Sequence, residues 1–182
     1  MRPYPRVMAG DTSWIAELIR DIPDYPQPGV TFRDITPLLA DAEGFARAVN
    51  ELVDRFENVN VDHVIGIEAR GFIIAAPVAY RIGAGFVPVR KSGKLPWAVA
   101  REEYTLEYGT DKLEIHRDAL HPRERVLIID DVLATGGTAA AAARLVEGLD
   151  GEVVGLGFML EIGSLQGRAK LGERRVESLA VY

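Results

Sequence analysis

The 182-residue chain contains no cysteine. That excludes disulfides, thiolate metal sites and cysteine nucleophiles, and it fits a reducing cytoplasm. No apolar run approaches the length needed to cross a bilayer, and the opening Met1-Arg2-Pro3-Tyr4-Pro5-Arg6 lacks the apolar core of a secretory signal. Acids outnumber cations, 27 to 21, for a net charge of −6. A nucleic-acid partner needs clustered cations, so neither nucleic acid nor membrane is expected. No repeat, low-complexity tract or domain boundary interrupts the chain. What is present is globular composition, 48% hydrophobic and 26% charged, at a length that suits one domain.

The most informative stretch is residues 125–138. An apolar run, Val126-Leu127-Ile128-Ile129, ends in the adjacent carboxylates Asp130 and Asp131, passes through Ala134-Thr135-Gly136-Gly137-Thr138, and opens into an alanine-rich segment. This predicts a strand, a loop and a helix start. Glycines let such a loop turn its N–H groups inward, and the first N–H groups of a helix lack internal partners, so the junction suits a phosphate. Alone, the carboxylate pair reads as caps or solvated charges. Attached to this loop it reads as function, because side-by-side charges are costly unless hydroxyls or a cation share their site. Ribose hydroxyls, with Mg2+ on a phosphorylated substrate, meet that need.

The rest of the chain alternates strand and helix patterns. Asp11, Thr12 and Ser13 offer N-caps for a first helix carrying Ile15, Leu18, Ile19 and Ile22 and stopping before Pro23. Prolines make residues 24–29 a rigid connector, after which residues 30–35 alternate like a short strand whose ring and amides could grip a flat ligand. Asp41 caps a helix with Phe45, Val49, Leu52, Val53 and Phe56 on its apolar face. Residues 63–67 form a buried strand, followed by Glu68-Ala69-Arg70-Gly71 and a helix from Phe72 toward Arg81, with Pro77 near its first turns or kinking it. Residues 85–89 are another strand, Pro88 arguing for an edge or an irregular end. A basic segment then opens a polar excursion, expected to be mobile as far as Tyr108, and residues 113–116 return as a strand. Residues 153–160 and 176–181 supply two more strands.

Two generic nucleotide signatures are missing. Residues 134–138 have no Walker A lysine, and Gly155-Leu156-Gly157 is not followed by the third glycine of the dinucleotide fingerprint. Those two glycines read as sheet packing. The alternation implies βαβ units, hence an α/β fold with a mostly parallel central sheet flanked by helices. The loops after Ile67, Val89 and Ile129 should then converge at the carboxyl edge of that sheet.

Residues 126–138 resemble, in full, the phosphoribosyl-pyrophosphate (PRPP) motif of type I phosphoribosyltransferases. Three further segments resemble the adenine-specific members and occur in their order. They are Asp24-Tyr25-Pro26-Gln27-Pro28-Gly29-Val30-Thr31-Phe32-Arg33-Asp34-Ile35, then Glu68-Ala69-Arg70-Gly71-Phe72, then Arg90-Lys91-Ser92-Gly93-Lys94-Leu95-Pro96 with Thr105-Leu106-Glu107-Tyr108-Gly109. The resemblance implies the type I phosphoribosyltransferase fold as one domain over 1–182, with a hood from residues 1–37 and a mobile lid over 91–108. It implies transfer of 5-phosphoribosyl from PRPP to N9 of adenine, giving AMP and pyrophosphate, in a cytoplasmic homodimer. Mg2+ is the implied cofactor, carried mainly by PRPP with no firm protein ligand.

Residue roles follow from the same resemblance. Asp130 and Asp131 hold the ribose hydroxyls, and Ala134, Thr135, Gly136, Gly137 and Thr138 cradle the 5′-phosphate. Glu68, Ala69 and Arg70 bind pyrophosphate, with a cis peptide expected near Glu68-Ala69, and Arg90, Lys91 and Lys94 add positive charge, in some family dimers across the interface. Adenine stacks on Phe32, meets backbone groups of Thr31 and Arg33, and has Leu133, Ala134 and Leu160 as apolar walls, although each could equally be core. Glu107 resembles the proton-handling residue; it reads equally as a solvated glutamate. Two rivals stay open at this point: a non-catalytic PRPP or purine sensor, and an enzyme for hypoxanthine, guanine or xanthine.

Overall fold

The computed structural model describes residues 13–105 and 110–182. Helix α1 (Ser13–Glu17) is followed at once by β1 (Arg20–Ile22), which pairs antiparallel with β2 (Phe32–Asp34), Ile22 opposite Phe32. The helix is thus shorter than the spacing of Ile15, Leu18, Ile19 and Ile22 predicts. A helix this short gains little from propensity and yields to strand pairing. Of the three expected caps, Asp11 and Thr12 lie outside the described residues. The proline-rich loop between β1 and β2 is closed by Asp24, whose carboxylate accepts from the Gly29 N–H at 2.7 Å.

The chain continues through α2 (Thr36–Ala40), α3 (Ala42–Arg55), β3 (His63–Ile67), α4 (Arg70–Ile82), β4 (Gly85–Lys91), β5 (Val99–Thr105), β6 (Thr110–His116) and β7 (Arg125–Leu133). It ends with α5 (Gly137–Glu147), β8 (Glu152–Glu161), two short 3-10 turns at Gly163–Leu165 and Gly167–Lys170, and β9 (Val176–Val181). Asp41 caps α3 as expected, accepting from the Gly44 N–H at 2.7 Å. Pro77 falls inside α4, beyond the first turn.

Among the described residues, seven strands form one sheet in the order β5-β6-β4-β3-β7-β8-β9. The stretch from β4 to β9 is parallel, and β6 and β5 add antiparallel at one side. Within the segment expected to be a polar excursion, residues 99–105 form a strand: β4 continues to Lys91 and β5 pairs with β6 along its length. Its charges find partners at the surface: Lys112 meets Glu103 at 3.1 Å, and Arg144 of α5 meets Glu102 at 2.5 Å. Pro88 interrupts no ladder, because β6 joins β4 only at Arg90 and Lys91.

Alternation along β7 sets up both layers. Val126 and Ile128 enter the core shared with α5, while Leu127 and Ile129 enter the core shared with α3 and α4. The alanines of residues 139–143 are buried, so α5 lies close on the sheet. Gly155 and Gly157 serve packing, as expected: a Cβ on either would lie within 3.2 Å of the Phe56 ring. Burying that ring is worth about 1.5–3 kcal/mol, which offsets the cost of about 0.5–1 kcal/mol for each strand glycine. Among the described residues no helix is long and apolar enough to cross a membrane. The loops after β3, β4 and β7 meet at the carboxyl ends of the parallel strands.

Candidate active site

β7 does not stop at Ile129. It carries Asp130 and Asp131 within the strand, Asp130 opposite Phe158 and Leu133 opposite Glu161 of β8. The sheet therefore fixes the carboxylates before the loop begins. Gly136 turns the chain with φ +77°, and α5 starts at Gly137 with no side-chain cap, which leaves its first N–H groups available to a ligand. A cavity of about 70 Å³ lies between Asp130 and Ala139.

The loop is backed from behind. A Cβ on Gly136 would come within 3.1 Å of the Gly167 Cα and closer still to its carbonyl oxygen. Gly167 is held by its neighbour Arg168, which grips Glu161 through Nε at 2.8 and 2.9 Å and through Nη2 at 2.6 Å. The Arg168 hydrogen bond keeps the buried Glu161 carboxyl below its usual range. Sequence reading missed Glu161, Gly167 and Arg168. A signal existed, because Glu161 follows the apolar run Phe158-Met159-Leu160 much as Asp130 follows Val126 to Ile129.

Arg70, at the start of α4, donates from Nε to the Asp131 carboxylate, and its guanidinium lies 5.6 Å from the centroid of the Phe32 ring. Tyr25 packs edge-on against the same ring at 5.4 Å. The Phe32 ring, the Arg70 cation and the Asp131 carboxylate thus form one line of contacts. The Arg33 side chain turns elsewhere, pairing with Asp21 and stacking on Tyr182 at 4.4 Å. The Glu68–Ala69 peptide is cis, as is Tyr25–Pro26.

Asp130 accepts from the Asp131 N–H at 2.9 Å. Burial, then the charge of Asp131, pushes its carboxyl well above the ordinary aspartate range, with Arg70 only partly opposing this. Because folding raises this pKa, ionised Asp130 destabilises the fold, and the penalty disappears below the ordinary aspartate range. Asp130→Asn is therefore expected to melt higher than the parent at neutral pH, with the gap closing on acidification. Thermal melts across that pH series check the sign, and a constant gap would count against it.

The basic turn after β4 is also fixed. The Glu68 carboxylate accepts from Arg90 Nε at 3.2 Å, from the Lys91 N–H at 3.1 Å, and from Lys94 Nζ. Burial alone would raise this carboxyl; the Lys94 and Lys91 hydrogen bonds with the Lys94 and Arg90 charges outweigh it and hold it low. Lys91 Nζ reaches Asp111 at 3.1 Å, and Tyr104 hydrogen-bonds both Asp111 and Thr138. Buried Glu114 pins the turn by accepting from Ser92 Oγ at 2.7 Å and the Gly93 N–H at 2.9 Å. Leu133 lines the cavity at the loop of residues 134–138, Leu160 is wholly buried, Thr31 is exposed, and Glu107 lies outside the described residues.

The phosphoribosyl transferase domain family matches residues 33–177. The chain is 56% identical to the adenine phosphoribosyltransferase of Trichormus variabilis over 170 residues, covering 92% of this chain and 99% of that protein. Its fold is similar to the crystal structure of adenine phosphoribosyltransferase from Thermoanaerobacter pseudethanolicus, with a TM-score of 0.92 at 49% identity over 94% of this chain and 100% of that one. It is also similar to the Saccharomyces cerevisiae adenine phosphoribosyltransferase complexed with an imino-altritol bisphosphate and adenine, with a TM-score of 0.87 at 36% identity over 92% and 97%. Sequence and fold together show that the chain belongs to the adenine phosphoribosyltransferases of the type I family.

Proposed function

We propose that this site transfers the 5-phosphoribosyl group of PRPP to N9 of adenine, releasing AMP and pyrophosphate. One observation carries the reading: Phe32, Arg70 and Asp131 touch in sequence, so a ring platform, a cation and a ribose-binding carboxylate lie side by side. Adenine stacks on Phe32 and bonds to backbone groups of Thr31 and Arg33, with the buried side chains of Leu133 and Leu160 backing the site from the core. Asp130 and Asp131 accept from the ribose hydroxyls. The 5′-phosphate takes N–H groups from the loop of residues 134–138 and the hydroxyls of Thr135 and Thr138. Charge-assisted bonds of this kind contribute about 1.5–3 kcal/mol each, against about 0.3–1 kcal/mol from the helix dipole, so directed donors dominate.

In the reaction the bond from C1′ to pyrophosphate oxygen lengthens as N9 approaches, through an oxocarbenium-like state. Arg70, Arg90, Lys91 and Lys94 neutralise the charge that develops on the leaving group. Glu107 handles the proton lost from the imidazole edge of the purine. Among the described residues no cluster of three or more metal-ligating side chains exists, but the paired carboxylates of Asp130 and Asp131 are hard oxygen donors beside the proposed ribose site. That donor set fits a Mg2+ held mainly by substrate oxygens, which would supply further charge neutralisation to the leaving group.

Residues 13–37 act as the hood over adenine and residues 91–105 cover the site against water, while residues 1–12 of the expected hood and 106–108 of the expected lid lie outside the described residues. Two copies pair through the outer face of α4, where Ile73 and Tyr80 are 47% and 78% exposed, with exposed Phe86 of β4 packed edge-on against Phe72 of the same helix. With no cysteine to oxidise, the protein works in the cytoplasm. Pyrophosphate release with PRPP, Mg2+ and each of adenine, hypoxanthine, guanine and xanthine tests the assignment. Adenine is expected to lead by on the order of 10³-fold or more, since a site built to bond one base edge leaves groups unpaired with another. Release with guanine instead would reassign the base; binding of PRPP without release with any base would make the chain a sensor.

A further inference from the structure

Glu68 is the centre of the basic cluster rather than a member of it. Its side chain is 9% exposed, whereas Arg90 and Lys94 are 34% and 47% exposed, and the single carboxylate engages both cations as well as the Lys91 N–H. Arg90 and Lys91 end β4 and Lys94 lies in the turn that follows, whose Ser92 and Gly93 are pinned by Glu114, so the three donors are presented together. A pyrophosphate oxygen that takes these donors must displace the glutamate. We infer that the Glu68 carboxylate is a built-in competitor of pyrophosphate, which keeps the cations oriented and weakens their grip on the departing product.

The inference rests on the assignment of Arg90 and Lys94 to pyrophosphate made above. Physically it solves a conflict in the site. Clustered cations stabilise the leaving group, yet the same cations unpaired would retain it after the bond has broken. A resident anion returns to them as pyrophosphate leaves, and it spares them an uncompensated, partly desolvated charge. Glu68 is thus a positioning residue, acting through Arg90 and Lys94.

Calorimetric titration of pyrophosphate, with and without Mg2+, into the parent chain and Glu68→Gln tests it. The amide keeps the volume and removes the charge, so pyrophosphate should bind about five- to tenfold more tightly under both conditions, and product inhibition should strengthen in parallel. Glu68→Ala gives the same readout if the amide variant lacks a cooperative melt. Unchanged or weaker binding overturns the inference, and weakening seen only with Mg2+ would make Glu68 a metal ligand instead. Arg90→Ala separates the two levels. If it weakens binding while Glu68→Gln does not tighten it, only the competitor role falls; if the parent chain takes up no pyrophosphate, the site assignment falls with it.

Discussion

Gly136→Ala is expected to lose both stability and PRPP binding, and by more than any other small change in the loop. Two costs add. An alanine at φ +77° is strained by about 1–2 kcal/mol, and its Cβ drives into the Gly167 backbone, an overlap of the kind that costs about 1–3 kcal/mol. For a domain of this length the sum corresponds to a melting temperature lower by about 4–20 °C. The alternative is for the loop to move away from Gly167, which tilts the first N–H groups of α5 off the phosphate. The KM for PRPP should then rise about a hundredfold, the equivalent of one or two charge-assisted hydrogen bonds, while adenine binding changes little. Melting curves with PRPP saturation kinetics check both halves. A normal KM for PRPP would mean that the loop is not the 5′-phosphate cradle.

Asp131→Ala is expected to cut kcat/KM for PRPP by about 10²–10⁴-fold. It removes the acceptor for a ribose hydroxyl, and it also releases Arg70, whose Nε has no other carboxylate partner among the described interactions. A charged hydrogen bond lost at each of two contacts supplies a change of this size. The two effects can be separated. Asp131→Asn keeps a polar atom near Arg70 and removes the charge, so it should restore part of kcat/KM without restoring the full rate. Near-parent turnover in the alanine variant would refute the ribose role. In both variants the melting temperature reports whether the strand end has survived.

The parallel core was legible because strand and helix periodicities alternate cleanly from residue 63 to 161, and because charged pairs at strand ends stand out against apolar runs. Misreadings arose where tertiary partners decide the outcome. Arg20–Ile22 continues a helical spacing, yet β2 captures it as a strand. Residues 99–105 look like solvated polar chain, yet Arg101 faces Glu114 and Glu103 faces Lys112 across β5 and β6. Such pairing depends on register, and register is invisible until the partner strand is known. The loop residues of the site declared themselves through chemistry, by acids, glycines and threonines in a row. The residues behind them did not. Gly167 touches the glycine-rich loop from a turn thirty-one positions away from Gly136, and nothing in either stretch alone announces the contact.

Glu161 touches two halves of the molecule at once. Its side chain clamps Arg168 behind the loop of residues 134–138, while its carbonyl accepts from the Tyr182 N–H at 2.9 Å, and the Tyr182 ring carries Arg33 from the β1–β2 hairpin. The next residue, Ile162, ties back to the carbonyl of Leu133 at 2.9 Å. The end of β8 therefore works as a ruler. It fixes the distance between the β1–β2 hairpin and the loop of residues 134–138, so the proposed site would select its ligand by span as well as by the groups it offers.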